Sequence, residues 1–240
     1  MTTIISNDNF QIIQQNRNTF SIQFPIYNEP IIQSITKNNI IIGTTVDTDF
    51  KILNFKATSV KTLVEFKKDL FFKNGKNHLP IDLAAKLASD LGGQLKYLIE
   101  KYNMTIIGID PENIIVVDES KFMYLSSEYL TEINENNSTC MVSFPILFNN
   151  GFFSPELLDL KEIPSFVHYK TSYFSFGCLM LYALIDDTIF NKFYNMYIKE
   201  KNLQQIENCL NSLSIRGTNL FYFIERSLVL EPKDRSILFL

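Results

Sequence analysis

The chain has 240 residues, 46% of them hydrophobic and 20% charged, with 8 Gly and 8 Pro, a composition that excludes a disordered chain and a small disulfide-stapled scaffold. A net charge of −4 argues against a broad basic surface for nucleic acid or anionic membrane. Cys140, Cys178 and Cys209 are widely spaced and form no C-x-x-C pair, so no zinc site is expected and a reducing compartment fits best.

The first residues lack the basic start and apolar stretch of a secretory signal, and the longest apolar run, residues 174–185, is shorter than the roughly 20 residues of a membrane helix. An intracellular protein is expected, with a buried core helix at that run. From the N-terminus, residues 19–26, 30–36, 39–46 and 50–56 are β-branched and aromatic runs between Asn, Asp, Gly and Pro turn signals, predicting a small antiparallel sheet. Val46-Asp47-Thr48-Asp49-Phe50 reads as a hairpin connection.

After residue 58 helical periods dominate. Ser59 is placed to cap a helix reaching Phe72, ended by Asn74-Gly75-Lys76-Asn77. In residues 79–102, Leu83, Leu87, Leu91, Leu95 and Leu98 recur every three or four positions, one face of a long helix. Gly92-Gly93 in its middle implies close packing. Residues 114–117 and 122–125 flank the turn 118–121, a second hairpin. A long irregular stretch follows, from Ser126 to Phe153, and helices return at 170–185, 188–200, 203–213 and 217–229. Phe190, Phe193, Tyr194 and Tyr197 share a helix face, and a core stripe is the favoured reading.

Three segments in series resemble the large lobe of protein kinases. Ile106-Ile107-Gly108-Ile109-Asp110-Pro111-Glu112-Asn113 is similar to the catalytic loop, in which an aspartate precedes an asparagine by five residues. Phe153-Ser154-Pro155-Glu156-Leu157 is similar to the Ala-Pro-Glu segment, with Tyr173-Phe174-Ser175-Phe176-Gly177 opening the next helix. Leu230-Glu231-Pro232-Lys233-Asp234-Arg235-Ser236 resembles the family's Asp-Pro-x-x-Arg turn. The resemblance implies an α+β, protein-kinase-like fold: a reduced β-rich small lobe over residues 1–58 and a helical large lobe over 59–240. It also implies a buried ion pair between Glu156 and Arg235, with Gly177 as a further structural position.

The chemistry of that family is largely missing. Gly108 stands at the catalytic aspartate, Ile106-Ile107 at the preceding His-Arg pair, and Asp110 at the catalytic-loop lysine, reversing its charge. Where Asp-Phe-Gly is expected, the best register gives Tyr124-Leu125-Ser126, and a phenol is a poor magnesium ligand. The first glycine is Gly43, so no glycine-rich loop precedes it. Lys37 is placed at a strand end, with no room after it for the helix that carries the lysine's glutamate partner. Asn113 is retained and in kinases binds magnesium, but a turn role bonding the local backbone is the better reading. Ser172 replaces the aspartate that braces the catalytic loop.

The expected function is a pseudokinase: a scaffolding or protein-binding module, similar to the divergent kinase-like proteins of large DNA viruses and resident in host cytoplasm or virion. No cofactor is expected, no nucleic acid and no membrane; the partner is a protein, met by the 126–153 segment with Phe144, Phe148, Phe152 and Phe153 or by the aromatic helix. The alternatives are an atypical active Ser/Thr kinase using ATP and Mg2+, with Asp110 or Asp118 taking over proton or metal work, and a structural virion or assembly protein.

Overall fold

The computed structural model describes residues 1–49, 51–146 and 151–237. Residues 1–58 form an antiparallel sheet with one helix on it. Strands β1 (Thr2–Ser6), β2 (Gln11–Asn16), β3 (Thr19–Gln23), β4 (Ile42–Asp47) and β5 (Ile52–Lys56) lie in the order β1-β2-β3-β5-β4. The apolar residues of the inner face, Ile12, Phe20, Ile22, Leu53 and Phe55, are buried, as strand alternation requires. The β4–β5 hairpin confirms the expected connection, with Lys51 at positive φ in its turn; Phe50 lies outside the described residues.

Two corrections apply here. Residues 30–36, expected as a strand, belong to helix α1 (Glu29–Lys37). Asn28 caps it through Ile31 N, Pro30 occupies its first turn, and Ile31, Ile32 and Ile35 form a buried face. Capping and burial outweigh the β preference of isoleucine. The region holds five strands, including β1 and β2, which sequence patterning missed, and a helix where a strand was expected.

The remaining chain is mainly helical. Strand β6 (Val60–Thr62) leads into α2 (Leu63–Asn74), capped by Thr62 in a capping box with Glu65 rather than by Ser59. Gly75 ends it in the left-handed region, with φ of 69°, a conformation glycine adopts without steric cost. The leucine stripe forms α3 (Ile81–Tyr102), and a Cβ on Gly93 would sit 3.3 Å from Asn38 Oδ1 at the end of α1, the close packing that the glycine pair implied. Strand β7 (Met104–Ile106) and a short 3-10 turn, Pro111–Asn113, precede the expected hairpin of β8 (Ile114–Val117) and β9 (Lys121–Tyr124).

The stretch expected to be irregular instead holds β10 (Leu130–Asn134) and β11 (Thr139–Val142), which with β12 (Ser165–His168) and β7 make a four-stranded sheet. Helix α4 (Pro155–Leu158) is a single turn. Helices α5 (Thr171–Leu184), α6 (Asp187–Glu200), α7 (Gln204–Ser212) and α8 (Asn219–Ser227) complete the bundle. The 174–185 run is the core helix α5, buried along nearly its whole length. Phe190, Tyr194 and Tyr197 are buried in core, as are Phe152 and Phe153; the latter pair therefore does not form the exposed surface proposed from sequence, and Phe148 lies outside the described residues. The three cysteines are buried free thiols. Among the described residues no helix is long and apolar enough to cross a membrane. The architecture is α+β with antiparallel sheets.

Candidate functional site

A cleft of about 1120 Å3 opens between the β1–β2 tip, segment 106–113 and α6; Asn7, Asp8, Asp110, Asn113, Glu128 and Asp187 are on its walls. Segment 106–113 is held from both sides. Ile107 N donates to Tyr129 O at 2.9 Å, and the Ile109 and Phe152 backbones exchange bonds at 2.9 and 3.3 Å. Ser175 Oγ on α5 donates to Ile107 O at 3.0 Å. The loop is thus still braced from α5. Ser172, which stands where the resemblance places a bracing aspartate, donates to Tyr169 O and not to this loop.

Gly108 has no space for a side chain: a Cβ there would lie 2.4 Å from Phe153 Cε1 and 3.2 Å from Tyr129 Cγ. The volume a carboxylate needs is occupied by two aromatic rings packed edge to face. Asp110 caps the 3-10 turn by accepting from Glu112 N at 2.9 Å. Burial, with Glu112 and Glu128 nearby, pushes its carboxyl up to about 6 although that backbone bond opposes the shift. Tyr124 is fully buried on β9, its backbone N donating to Gln94 Oε1 at 2.8 Å. Burial raises its phenol far above the ordinary range. Leu125 N bonds Asn113 O at 3.1 Å and Ser126 Oγ accepts from Glu128 N, so Tyr124, Leu125 and Ser126 act as a structural strand end.

Asn113 is buried, and its side chain does not bond the local backbone as expected. Its Oδ1 accepts from Asn7 Nδ2 at 3.1 Å and Asn9 Nδ2 at 3.5 Å, both from the β1–β2 tip. The tip is preorganised: Asn7 Oδ1 accepts from Asn9 N and Phe10 N at 2.9 and 3.0 Å, an Asx turn. Sequence reading missed Asn7 and Asn9; an Asn-Asp-Asn run between two β-rich segments was the only local signal.

Two further contacts tie the N-terminal sheet to the helical region. Gln94 on α3 donates to Ser34 Oγ on α1 at 3.1 Å and to Tyr124 O at 3.3 Å. Asp118 Oδ1 accepts from Thr58 N, Thr58 Oγ1 and Ser59 N at 2.6, 2.7 and 3.2 Å. Burial alone would raise the Asp118 carboxyl, but these bonds prevail and hold it below its ordinary value. Asp118 is a turn residue that fixes the connection, not a member of the cleft. Lys37 ends α1 exposed, far from its expected strand-end setting.

Glu156 and Arg235 meet in a two-pronged pair, Nη1–Oε1 2.5 Å and Nη2–Oε2 2.9 Å. Arg235 also donates to the Val229, Leu230 and Lys170 carbonyls and lies over the Phe174 ring. Thr171 Oγ1 donates to Glu156. Burial opposes the Glu156 charge, yet Arg235 and Thr171 hold its carboxyl below the ordinary value. Gly177 lets α5 and α8 touch, since a Cβ would lie 2.3 Å from Ser227 Oγ. Compared with known protein families and with curated proteins, the chain matches none.

Proposed function

We propose that the chain is a protein-kinase-like module that binds protein and does not transfer phosphate, a pseudokinase. The observation that carries this reading is the contact of Asn7 and Asn9 with Asn113. In kinases a glycine-rich loop of the small lobe covers the phosphates, a lysine on the third strand holds them, and the catalytic-loop asparagine takes magnesium. Here the first hairpin ends in Asn7-Asp8-Asn9, β3 carries no lysine, and the Asn113 carbonyl oxygen already has two donors. The tip carries no cation for a polyphosphate, and the Asp8 carboxylate repels one.

The frame supports the same reading. Helix α1 between β3 and β4 sits in the chain order where kinases carry the helix with the lysine's glutamate; it ends at Lys37, and residues 38–41, between Lys37 and β4, hold no helix. Its one acid, Glu29, lies in the first turn and accepts from Tyr102 OH at 3.5 Å. The Glu156–Arg235 pair agrees with the contact the resemblance implied. Gly108, walled by Phe153 and Tyr129, supports loss of the proton acceptor, a group typically worth about a hundred- to ten-thousand-fold in rate.

Thermal unfolding with millimolar ATP, with and without magnesium, tests the reading. A ligand at about 100 times its dissociation constant adds roughly 2.7 kcal/mol, several degrees for a chain of this size. No shift is expected; a magnesium-dependent shift of that size overturns the reading. One observation favours a second reading, an atypical active kinase: Asp110 is a cleft carboxyl with its pKa raised to about 6, within the range useful to a general base. Phosphate transfer from ATP to casein that disappears in Asp110→Asn would establish it.

A further inference from the structure

A second concave surface lies between α7 and the end of α8, a groove of about 320 Å3 that shares no wall residue with the cleft. Leu203 and Leu210 line one wall, Leu228 and Leu230 the other. Leu230 is 63% exposed, and the others are only partly covered. Large apolar side chains left at the mouth of a groove mark interaction sites more often than isolated surface residues do. The wall residues on α7, Ile206, Leu210 and Leu203 just before it, follow helical spacing, so the groove presents an apolar stripe of the kind that receives another helix.

The charged groups decide the occupant. Glu207 and Glu225 are the charged residues of the lining, one on each wall, and both are exposed. Glu231 follows Leu230 and is also exposed. Neither Arg226, which follows Glu225 on α8, nor Arg216, engaged with Asn211, is a lining residue of the groove. A second copy docking through the same face would set these carboxylates against their own counterparts, which like-charge repulsion penalises. Phosphate-bearing partners, nucleic acid or anionic membrane, meet the same repulsion. We infer that the groove between α7 and α8 docks an amphipathic helix of a partner protein, with leucine-like anchors between the walls and Lys or Arg residues reaching Glu207 and Glu225. This inference rests on the reading of the chain as a protein-binding module and names the chemistry of the partner.

The test uses the full chain and two fluorescent peptides of about 18 residues, long enough to populate a helix. Both carry leucines at helical spacing; one is flanked by lysines, the other by glutamates. Fluorescence anisotropy at about 0.15 M salt is expected to give at least tenfold tighter binding of the lysine peptide. Glu207→Lys with Glu225→Lys should reverse that preference, and Leu230→Ser should weaken the lysine peptide several-fold, with the melting temperature of each variant measured alongside. Because the cleft is also acidic, Glu112→Gln with Glu128→Gln is the control and should leave binding unchanged. Equal binding of the two peptides, no binding at millimolar peptide, or a loss that follows the cleft control instead of the groove variants overturns the proposal. The nucleotide melting experiment is unaffected by any of these outcomes, so failure of the groove and failure of the pseudokinase reading are distinguishable.

Discussion

The Glu156–Arg235 pair and the Asn7–Asn113 contact both join distant segments, 79 and 106 residues apart, but they differ in what they leave unsatisfied. The ion pair is closed. The Arg235 side chain is entirely buried, and its donors reach both carboxylate oxygens and three backbone carbonyls. The asparagine contact is neutral, half-buried on the tip side, and stands at the wall of a wide cleft. One is a permanent strut of the helical region; the other is a latch whose strength is that of ordinary amide hydrogen bonds. The difference teaches that the frame is held by charge placed where water cannot compete, while the hairpin tip is held at the cleft wall by neutral amides.

The largest effect expected on this comparison comes from breaking the strut. Arg235→Met leaves Glu156 as an uncompensated, mostly buried carboxylate, which typically costs about 3–5 kcal/mol. Urea unfolding should show that loss, and the double variant Glu156→Leu/Arg235→Met should recover part of it. A loss below about 1 kcal/mol would reduce the pair to an ordinary surface contact.

A second buried charge sharpens the contrast. Lys67 on α2 has a fully buried side chain, lies 3.6 Å above the Tyr182 ring, and donates to the Tyr182 and Ile185 carbonyls and to Asp187 at the start of α6. Burial lowers its pKa from 10.5 to about 8, against the opposing pull of Asp187 and Asp186. Between these two values the unfolded chain holds a proton that the folded chain has released, so this contribution to stability rises with pH, by roughly 3 kcal/mol in all. Below about pH 8 the group is charged in both states and the contribution is constant. The difference in unfolding free energy between the wild type and Lys67→Met, followed from pH 7 to 10, should carry that slope; a flat difference contradicts it.

Smaller effects are expected in the cleft. Gly108→Ala drives a methyl group into the Phe153 ring and should cost about 1–3 kcal/mol by overpacking. Gly108→Asp should be destabilised at least as much and gain no phosphate transfer. Asn113→Ala removes the acceptor shared by Asn7 and Asn9 and should cost about 1 kcal/mol. Its visible consequence should be faster hydrogen exchange at Asn9 N and Phe10 N, the amides of the tip, with exchange in α5 unchanged.

Much of the helical region was legible because its apolar residues repeat at helical spacing: the leucines of α3, the uninterrupted run of α5 and the aromatic face of α6 each meet one buried surface. The N-terminal region was less so. Isoleucines 31, 32 and 35 carry a β preference that the Asn28 cap and burial override, while β1 and β2 mix apolar with Gln, Asn and Thr residues, which blurs strand alternation. β10 and β11 were hidden among Asn and Glu residues in a stretch with little apolar pattern. In the site, Gly108, Asp110 and Asn113 could be singled out from their spacing, and the Glu156–Arg235 contact from two short motifs. The hold of Asn7 and Asn9 on Asn113 could not be, because no local pattern reports a contact between a hairpin tip and a loop a hundred residues away.

The most direct measurement is an NMR titration of the Asn7, Asn9 and Asn113 side-chain amides with ATP and magnesium. With the latch closed on a cleft whose lining sets Asp8, Asp110, Glu112, Glu128 and Asp187 against one lysine, Lys199, these resonances should stay in place up to millimolar nucleotide. Saturable, magnesium-dependent movement of all three, accompanied by release of the Asn7 and Asn9 amides to fast exchange, would contradict the reading of the cleft as a site without phosphate chemistry.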